Sequence, residues 1–568
     1  MNGAEIVIDF LMRKGVKEAF GYPGGSVIVL YEAMHKLDFP HILTRHEQGA
    51  SHAAEGYAKV SGRPGVCFAT SGPGATNLVT GLADAYLDSV PILAITGGVT
   101  RAATGTDAFQ EADITGITQP ITKYNYLVMD PDELLPILEE AWKMTTDGRP
   151  GPVLVNIPKD ILAMQIKPAT PAQAPTYVRH RPTKIKTVSM TDKIYAALAN
   201  CKRPLLLAGG GCVISKGGTD DLKVFAESLG IPIATTMMGK GAILEDHPLF
   251  LGIVGMHGTP QANTALGKCD LLLAVGSRFS DRVIGNPDLY NRGGRTIIHV
   301  DIDPAEIGKN IKATLEVEDD AGVFFEAMLA VRPTTDFAAN WIEWRRMLQS
   351  KIDRFLVLKN AMYSESDPMT PQYVIHQVSE NLKGQNPIIV TDVGQHQMFV
   401  MQHYPIETPR SFISSGGAGT MGFGLPAAIG ASAAEPDRIT VVFVGDGGFQ
   451  MTIQELGLLD KLRLPVKVII MDNGCLGMVR QWQELFFDKH YSQTLLDNNP
   501  DFIKIAEAYN IPAGVADDAE SLGREIQTAM KTEGPYVIRC IIDPDANVFP
   551  MIPAGKMPQD LIMPGMEE

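Results

Sequence analysis

The chain has 568 residues, 45% hydrophobic and 20% charged, with 55 Gly and 38 Pro. That is the composition of a turn-rich α/β protein long enough for three or four domains of about 150 residues. A formal net charge of −16 argues against nucleic acid or an anionic membrane as the main partner. No apolar run reaches the roughly 18 residues of a transmembrane helix, and the six scattered cysteines without a C-x-x-C pair, behind an acidic start (MNGAEIVIDF), point to a reduced, cytoplasmic protein.

Short apolar runs alternate with amphipathic segments in three blocks. In the first block, VCFAT, PILAIT and VLVNI read as strands buried on both faces; PLLLAGGG, DLLLAVGS and TIIHVDI do so in the second, and PIIVTDVG, TVVFVGDG and PVKVIIMDN in the third. Each run ends in or beside Gly, Ser, Asp or Asn and leads into a helix, which predicts βαβ units and three doubly wound parallel sheets. An acid-free, proline-marked stretch over 161–191 reads as a semi-extended linker, and a second break runs from Arg332 to about Pro371 through a Trp-rich helical piece. The expected blocks are 1–165, 185–330 and 365–545, with a tail over 546–568. Ligands in such sheets sit at the carboxyl ends of the strands, where SGPGATNL and SSGGAGTMG form Gly-rich loops that open helices.

The sharpest chemical signal is in the third block. Strand VVFV ends at Gly445, Asp446, Gly447 and Gly448, a helix follows from about Thr452 to Lys461, and strand VKVIIM ends at Asp472-Asn473-Gly474. One carboxylate and one amide oxygen on neighbouring strand ends suit Mg²⁺ when phosphates complete its shell, and glycines let backbone N–H groups approach those phosphates. A lone GDG could be only a tight turn; the second ligand at the next strand end argues otherwise. Asp472 reads as a turn or cap residue.

GDGG with an Asn 25 positions after its last glycine resembles the cofactor signature of the thiamine diphosphate-dependent decarboxylases and carboligases. RHEQGA at 45–50 agrees. In that family a Glu here, Glu47, protonates the aminopyrimidine of the cofactor so that its exocyclic nitrogen can take the C2 proton. The likeness narrows to the large subunits of acetohydroxyacid synthase through GYPGG, SGPGATNLVTGLADA, GTDAFQE, RPGPVLVNIPKD, DVGQHQM, GGAGTMGFGLPAAIGA, MVRQWQE and PMIPAG, in that order along nearly the whole chain.

The resemblance implies roles residue by residue. Gly25 would give a backbone N–H to the bound intermediate, Gln110 would face the reacting centre, and Phe109 and Lys159 would line the entrance. Gln395, His396 and Gln397 would touch the diphosphate and intermediate, with Gly419 and Met478 beside them, and Met421 would sit beneath the thiazolium. Metal contacts would come from Asp446, Asn473 and the backbone carbonyl of Cys475. Trp482 would favour 2-ketobutyrate as second substrate. In the middle block Gly209, Gly210, Gly211, His257, Arg278, Asp301 and Asp320 resemble the FAD-binding segments of the biosynthetic synthases, with Arg149 added from RPGP. Arg282 would contact the flavin and clamp the acceptor carboxylate.

The implied enzyme uses thiamine diphosphate, Mg²⁺ and FAD to join the two-carbon unit of pyruvate to a second 2-ketoacid, as the first common step of branched-chain amino-acid synthesis. A homodimer or tetramer is implied, since Glu47 and the diphosphate site act from different subunits, together with a small regulatory subunit as a candidate partner. Rivals are a pyruvate oxidase, a catabolic acetolactate synthase without the RF-x-DR element, and a catalytically silent cofactor-binding paralogue. The sequence departs from the usual pattern at Gly98, Thr100, Ser280 and Gly474-Cys475-Leu476, and carries Ser26 and Ala554 where Ala and Ser are common. Ser26, Thr100 and Ala554 match positions lining the channel that sulfonylurea herbicides occupy in the family, which implies weak inhibition.

Overall fold

The computed structural model describes residues 1–166, 186–290, 294–331 and 336–563. Most of the expected linker over 161–191 lies outside them. The described chain forms three six-stranded sheets in which every strand pairing is parallel. The first contains β1 (Ala19–Gly21), β2 (His41–Leu43), β3 (Gly65–Ala69), β4 (Ile92–Gly98), β5 (Tyr124–Leu127) and β6 (Pro152–Pro158), in the order β2-β1-β3-β4-β6-β5. The second contains β7 (Pro204–Ala208), β8 (Ile233–Thr235), β9 (Phe250–Ile253), β10 (Leu271–Val275), β11 (Thr296–Asp301) and β12 (Leu315–Glu318), in the order β12-β11-β10-β7-β8-β9. The third contains β13 (Ile388–Thr391), β14 (Phe412–Ile413), β15 (Thr440–Gly445), β16 (Val466–Asp472), β17 (Ala513–Ala516) and β18 (Tyr536–Ile541), in the order β14-β13-β15-β16-β18-β17.

The first and third sheets therefore share one topology, with the order reversing between β1 and β3 and between β13 and β15. Read from its other edge, the second sheet has the 3-2-1-4-5-6 order of dinucleotide-binding folds, reversing between β7 and β10. These switch points open the crevices in which ligands of parallel sheets bind. The central strands are buried, apart from partly exposed Gly445 at the end of β15, as their continuous apolar runs require.

One core joins the first and third sheets. The helices Glu47–Ser61 and Gly424–Ala434 cross there, both rich in Ala and Gly. A Cβ on Gly430 would lie 1.7 Å from the Ala53 carbonyl oxygen, and one on Gly56 2.0 Å from that of Ala427, so only glycine permits this approach. The Trp-rich piece forms the helix Ile342–Ala361, and Trp344 Nε1 donates to the Pro204 carbonyl, docking it on the second sheet. Among the described residues no helix is long and apolar enough to cross a membrane.

One sequence expectation shifts. The helix expected from about Thr452 begins at Asp446 itself and breaks at Thr452, whose hydroxyl donates to the Gly422 carbonyl; the chain resumes helically at Leu456–Leu462.

Candidate active site

Strands β15 and β16 run in register, Gly445 opposite Met471, so Asp446 and Asn473 emerge at one edge beside the switch point. Asp446 opens the helix Asp446–Met451 and is buried. Burial, reinforced by nearby Asp472, lifts its carboxyl to about 7. Asn499 Nδ2 donates to it at 2.7 Å, and it forms no ion pair among the described residues. Asp472 is committed elsewhere: Arg539 holds it at 2.7 Å, and it accepts the Gly474 N–H. The Asn473 side-chain oxygen accepts the Cys475 N–H at 3.2 Å.

Asp446, Asn473 and Cys475 share a cavity of about 70 Å³ with Gln395 and His396. Burial pulls His396 down to about 4, so its imidazole is neutral near pH 7, and its buried Nε2 has no hydrogen-bond partner. A buried carboxylate without a counter-ion, an amide oxygen that keeps a lone pair beyond the one taken by the Cys475 N–H, and an unpartnered imidazole nitrogen fit a dication bound with a diphosphate. Gln395 and Gln397 are less open: their amide nitrogens donate to Gln481 and the Ala546 carbonyl, and to Ser414 and the Ser415 carbonyl. Asp392, at the end of β13, accepts the N–H groups of Val393, Gly422 and Gly424 and so fixes the turn that carries Met421.

A second cavity, of about 1250 Å³, opens at the switch point of the central sheet and reaches Gly419, Met421, Met478 and Trp482. Gly210, Gly211 and Arg278 lie on its wall. Gly209 does not; its backbone is pressed against Gly276, where a Cβ would meet the carbonyl oxygen at 2.0 Å. Arg278 forms no ion pair among the described residues, and burial together with the neighbouring Arg149 lowers its pKa. A half-buried guanidinium without a direct ion-pair partner, beside close-packed glycines, fits a dinucleotide diphosphate. Burial raises Asp301 to about 6. Asp320 caps the helix Ala321–Leu329 and receives the Ser215 hydroxyl. Arg149 is held by Glu306 at 2.9 Å, His257 faces the Pro550 carbonyl at 3.3 Å, and Arg282 sits exposed at the rim near Asp281.

The remaining expected residues lie with the first sheet. Gly25, Glu47, Gln110 and Lys159 follow the carboxyl edge of the first sheet, and none of them, nor Phe109, lines either cavity. Glu47 is buried at the start of its helix, where the macrodipole favours a carboxylate, and Asn77 Nδ2 donates to it at 2.9 Å. Gln110 holds a left-handed backbone, φ 59°, and Phe109 beside it is 89% exposed. The expected residues thus fall into two separate groups along the chain. Asn77, Asp392, Glu455 and Asn499 went unread in the sequence. Asp392 could have been found as a strand-end acid like Asp446, whereas Glu455, which accepts the Arg45 N–H at 3.0 Å, lies 410 residues away in sequence.

The comparisons with known proteins agree with this layout. Residues 1–117, 191–328 and 392–540 match the N-terminal TPP binding, central and C-terminal TPP binding domains of thiamine pyrophosphate enzymes. The chain is 43% identical over 581 residues to a protein of Methanocaldococcus jannaschii named "Probable acetolactate synthase large subunit", covering 99% of this chain and 95% of that one. It is 43% identical over 572 residues to the acetolactate synthase large subunit of Lactococcus lactis subsp. lactis, covering 99% and 96%. To acetolactate synthase 1, chloroplastic, of Oryza sativa subsp. japonica it is 43% identical over 576 residues, covering 99% and 88%.

Proposed function

Because the chain belongs to the thiamine pyrophosphate enzymes and, within them, to the acetolactate synthase large subunits, we propose that it decarboxylates pyruvate and joins the remaining two-carbon unit to a second 2-ketoacid. The products would be 2-acetolactate or 2-aceto-2-hydroxybutyrate. The observation that carries the reading is buried Asp446, without a counter-ion, beside Asn473 and the unpartnered Nε2 of His396 at a switch point. Thiamine diphosphate supplies the nucleophilic carbon and the electron sink for this chemistry.

In this reading Asp446, Asn473 and the Cys475 carbonyl hold Mg²⁺, and the N–H groups from Gly445 to Gly448 take the diphosphate. Glu47, oriented by Asn77, holds and returns the proton at the pyrimidine ring. Met421, fixed through Asp392, supports the ring stack, and Gly25 and Gln110 face the reacting carbon. Arg282 binds the acceptor carboxylate, Trp482 packs against its alkyl group, and Phe109 with Lys159 closes the entrance and excludes water. The large cavity holds FAD, with Arg278 on its diphosphate. Glu47 lines neither cavity that Asp446 or Trp482 lines, which supports a homodimer or a tetramer with each site assembled from two copies. The relatives are named large subunits, which supports a smaller regulatory partner. The six cysteines are free thiols, in keeping with the cytoplasm.

Purified protein given pyruvate, thiamine diphosphate, Mg²⁺ and FAD should form acetolactate equally with and without oxygen, while the flavin stays oxidised. Oxygen-dependent acetate with flavin reduction under anaerobic pyruvate would assign it to the oxidases instead.

A further inference from the structure

Outside the expected site residues, one group of polar side chains is wholly buried without its charges being met. His52 and Glu55 lie on the helix Glu47–Ser61, and Asp84 and Asp88 on the helix Val79–Asp88. His52 Nδ1 and Glu55 Oε1 are 2.9 Å apart. One ligand atom from each of His52, Glu55 and Asp84 lies within 4.8 Å of the others. His52, Glu55 and Asp84 are all 0% exposed. Glu55 Oε2, His52 Nε2 and both Asp84 oxygens have no hydrogen-bond partner within bonding geometry, although the Ser415 and Thr420 hydroxyls lie near enough to favour the charged form of Asp84.

Lys59 does not resolve this. Its ammonium is 2.8 Å from Asp88 and also donates to the Ser414 carbonyl, while Asp88 further accepts the N–H groups of Gly416 and Gly417. Asp88 is therefore satisfied, and Glu55 and Asp84 remain as two carboxylates sharing a dry site with one imidazole. Buried groups left in this way demand a counter-charge.

We propose that His52, Glu55 and Asp84 form a buried site for one first-row divalent cation of the zinc class, separate from the Mg²⁺ position at Asp446. One imidazole and two carboxylates are the borderline donor set that such ions take in low coordination numbers, whereas Mg²⁺ requires near-octahedral oxygen and keeps several waters. An ion between the three side chains would replace the hydrogen bond of His52 Nδ1 with Glu55 Oε1, both atoms becoming ligands. The ion would tie the helix that begins at Glu47 to the one whose Asp88 holds the start of the loop carrying Met421. Its role is to hold the two elements, not to meet substrate.

Two protons could balance the same charges, and the experiment separates the cases. The full-length protein, loaded with its cofactors, is expressed with added zinc and manganese, dialysed against excess Mg²⁺ with a weak chelator, and analysed by plasma mass spectrometry. About one zinc-class ion per chain should remain, and His52→Gln and Asp84→Asn should each weaken retention about tenfold or more. Wild-type protein free of such ions, or variants that keep them, would overturn the proposal. If neither variant folds, an anomalous difference map at the metal edge from wild-type crystals decides: a peak among the three side chains supports the site, and its absence overturns it. A protonated-carboxyl infrared band lost in Glu55→Gln would identify protons instead and equally overturn it.

Discussion

Replacing Glu455 by Gln isolates a carboxylate that braces the catalytic helix from the opposite sheet. Both Glu455 oxygens accept the Arg45 N–H, at 3.0 and 3.1 Å, two residues before Glu47. Burial raises this carboxyl to about 7, although the Arg45 and His46 N–H groups and the Arg45 charge pull it down. A folded-state value above the unfolded one means that folding favours the protonated form. Stability is then fullest below about pH 4.5 and is lost as pH rises through 7. A carboxyl that titrates at about 7 rather than its ordinary 4.5 costs the folded state about 3 kcal/mol across that window, at about 1.4 kcal/mol per pH unit. Glutamine can still accept the Arg45 N–H and does not titrate. Melting curves of wild type and Glu455→Gln at pH 5 and pH 8 therefore form a double difference in which other titrating groups cancel. The variant should melt near wild type at pH 5 and a few degrees higher at pH 8. An equal melting difference at both pH values would refute the assignment of a strained, buried carboxylate here.

Glu47→Gln should preserve the fold, since an amide can still accept from Asn77, and lower acetolactate formation by about 10²–10⁴-fold with a matching fall in C2 proton exchange of the bound cofactor; wild-type exchange would remove Glu47 from the chemistry. Trp482→Leu should shift products toward acetolactate in competition between pyruvate and 2-ketobutyrate, because one methylene of contact is worth about 1–3 kcal/mol, and an unchanged ratio would refute the role. Thr100 has φ −62° and ψ 152°, angles that proline adopts without strain, so Thr100→Pro should fold normally and bind sulfonylureas more tightly. Tight inhibition of the unmodified protein, or no gain on substitution, would show that the channel has another shape.

The three sheets were legible because parallel strands buried on both faces leave continuous apolar runs, and turn residues marked their ends. Asp446 and Asn473 were legible for the same reason: a strand end followed by glycine is a local pattern. The topology shared by the first and third sheets left only a faint trace, SGPGATNL against SSGGAGTMG, because strand order is set by non-local pairing. Partners contributed from afar left none. Glu455 beside Arg45, Asn499 beside Asp446 and Gln481 beside Gln395 depend on which elements meet, and no spacing rule encodes that. Gly209 reads as a phosphate glycine in the sequence, yet backbone packing against Gly276 already requires it.

In the proposed assembly, catalysis needs Glu47 of one chain and Asp446 of another, and subunit mixing distinguishes this from a site held on one chain. Glu47→Gln and Asp446→Asn proteins, each inactive alone, are mixed under conditions of subunit exchange, with mixed dimers confirmed by native mass spectrometry, and acetolactate is measured. Sites shared across a two-fold interface leave one intact site in each mixed dimer, so activity should recover to about a quarter of wild type. Mixed dimers that form and remain inactive would place both groups of each site on a single chain and contradict the account.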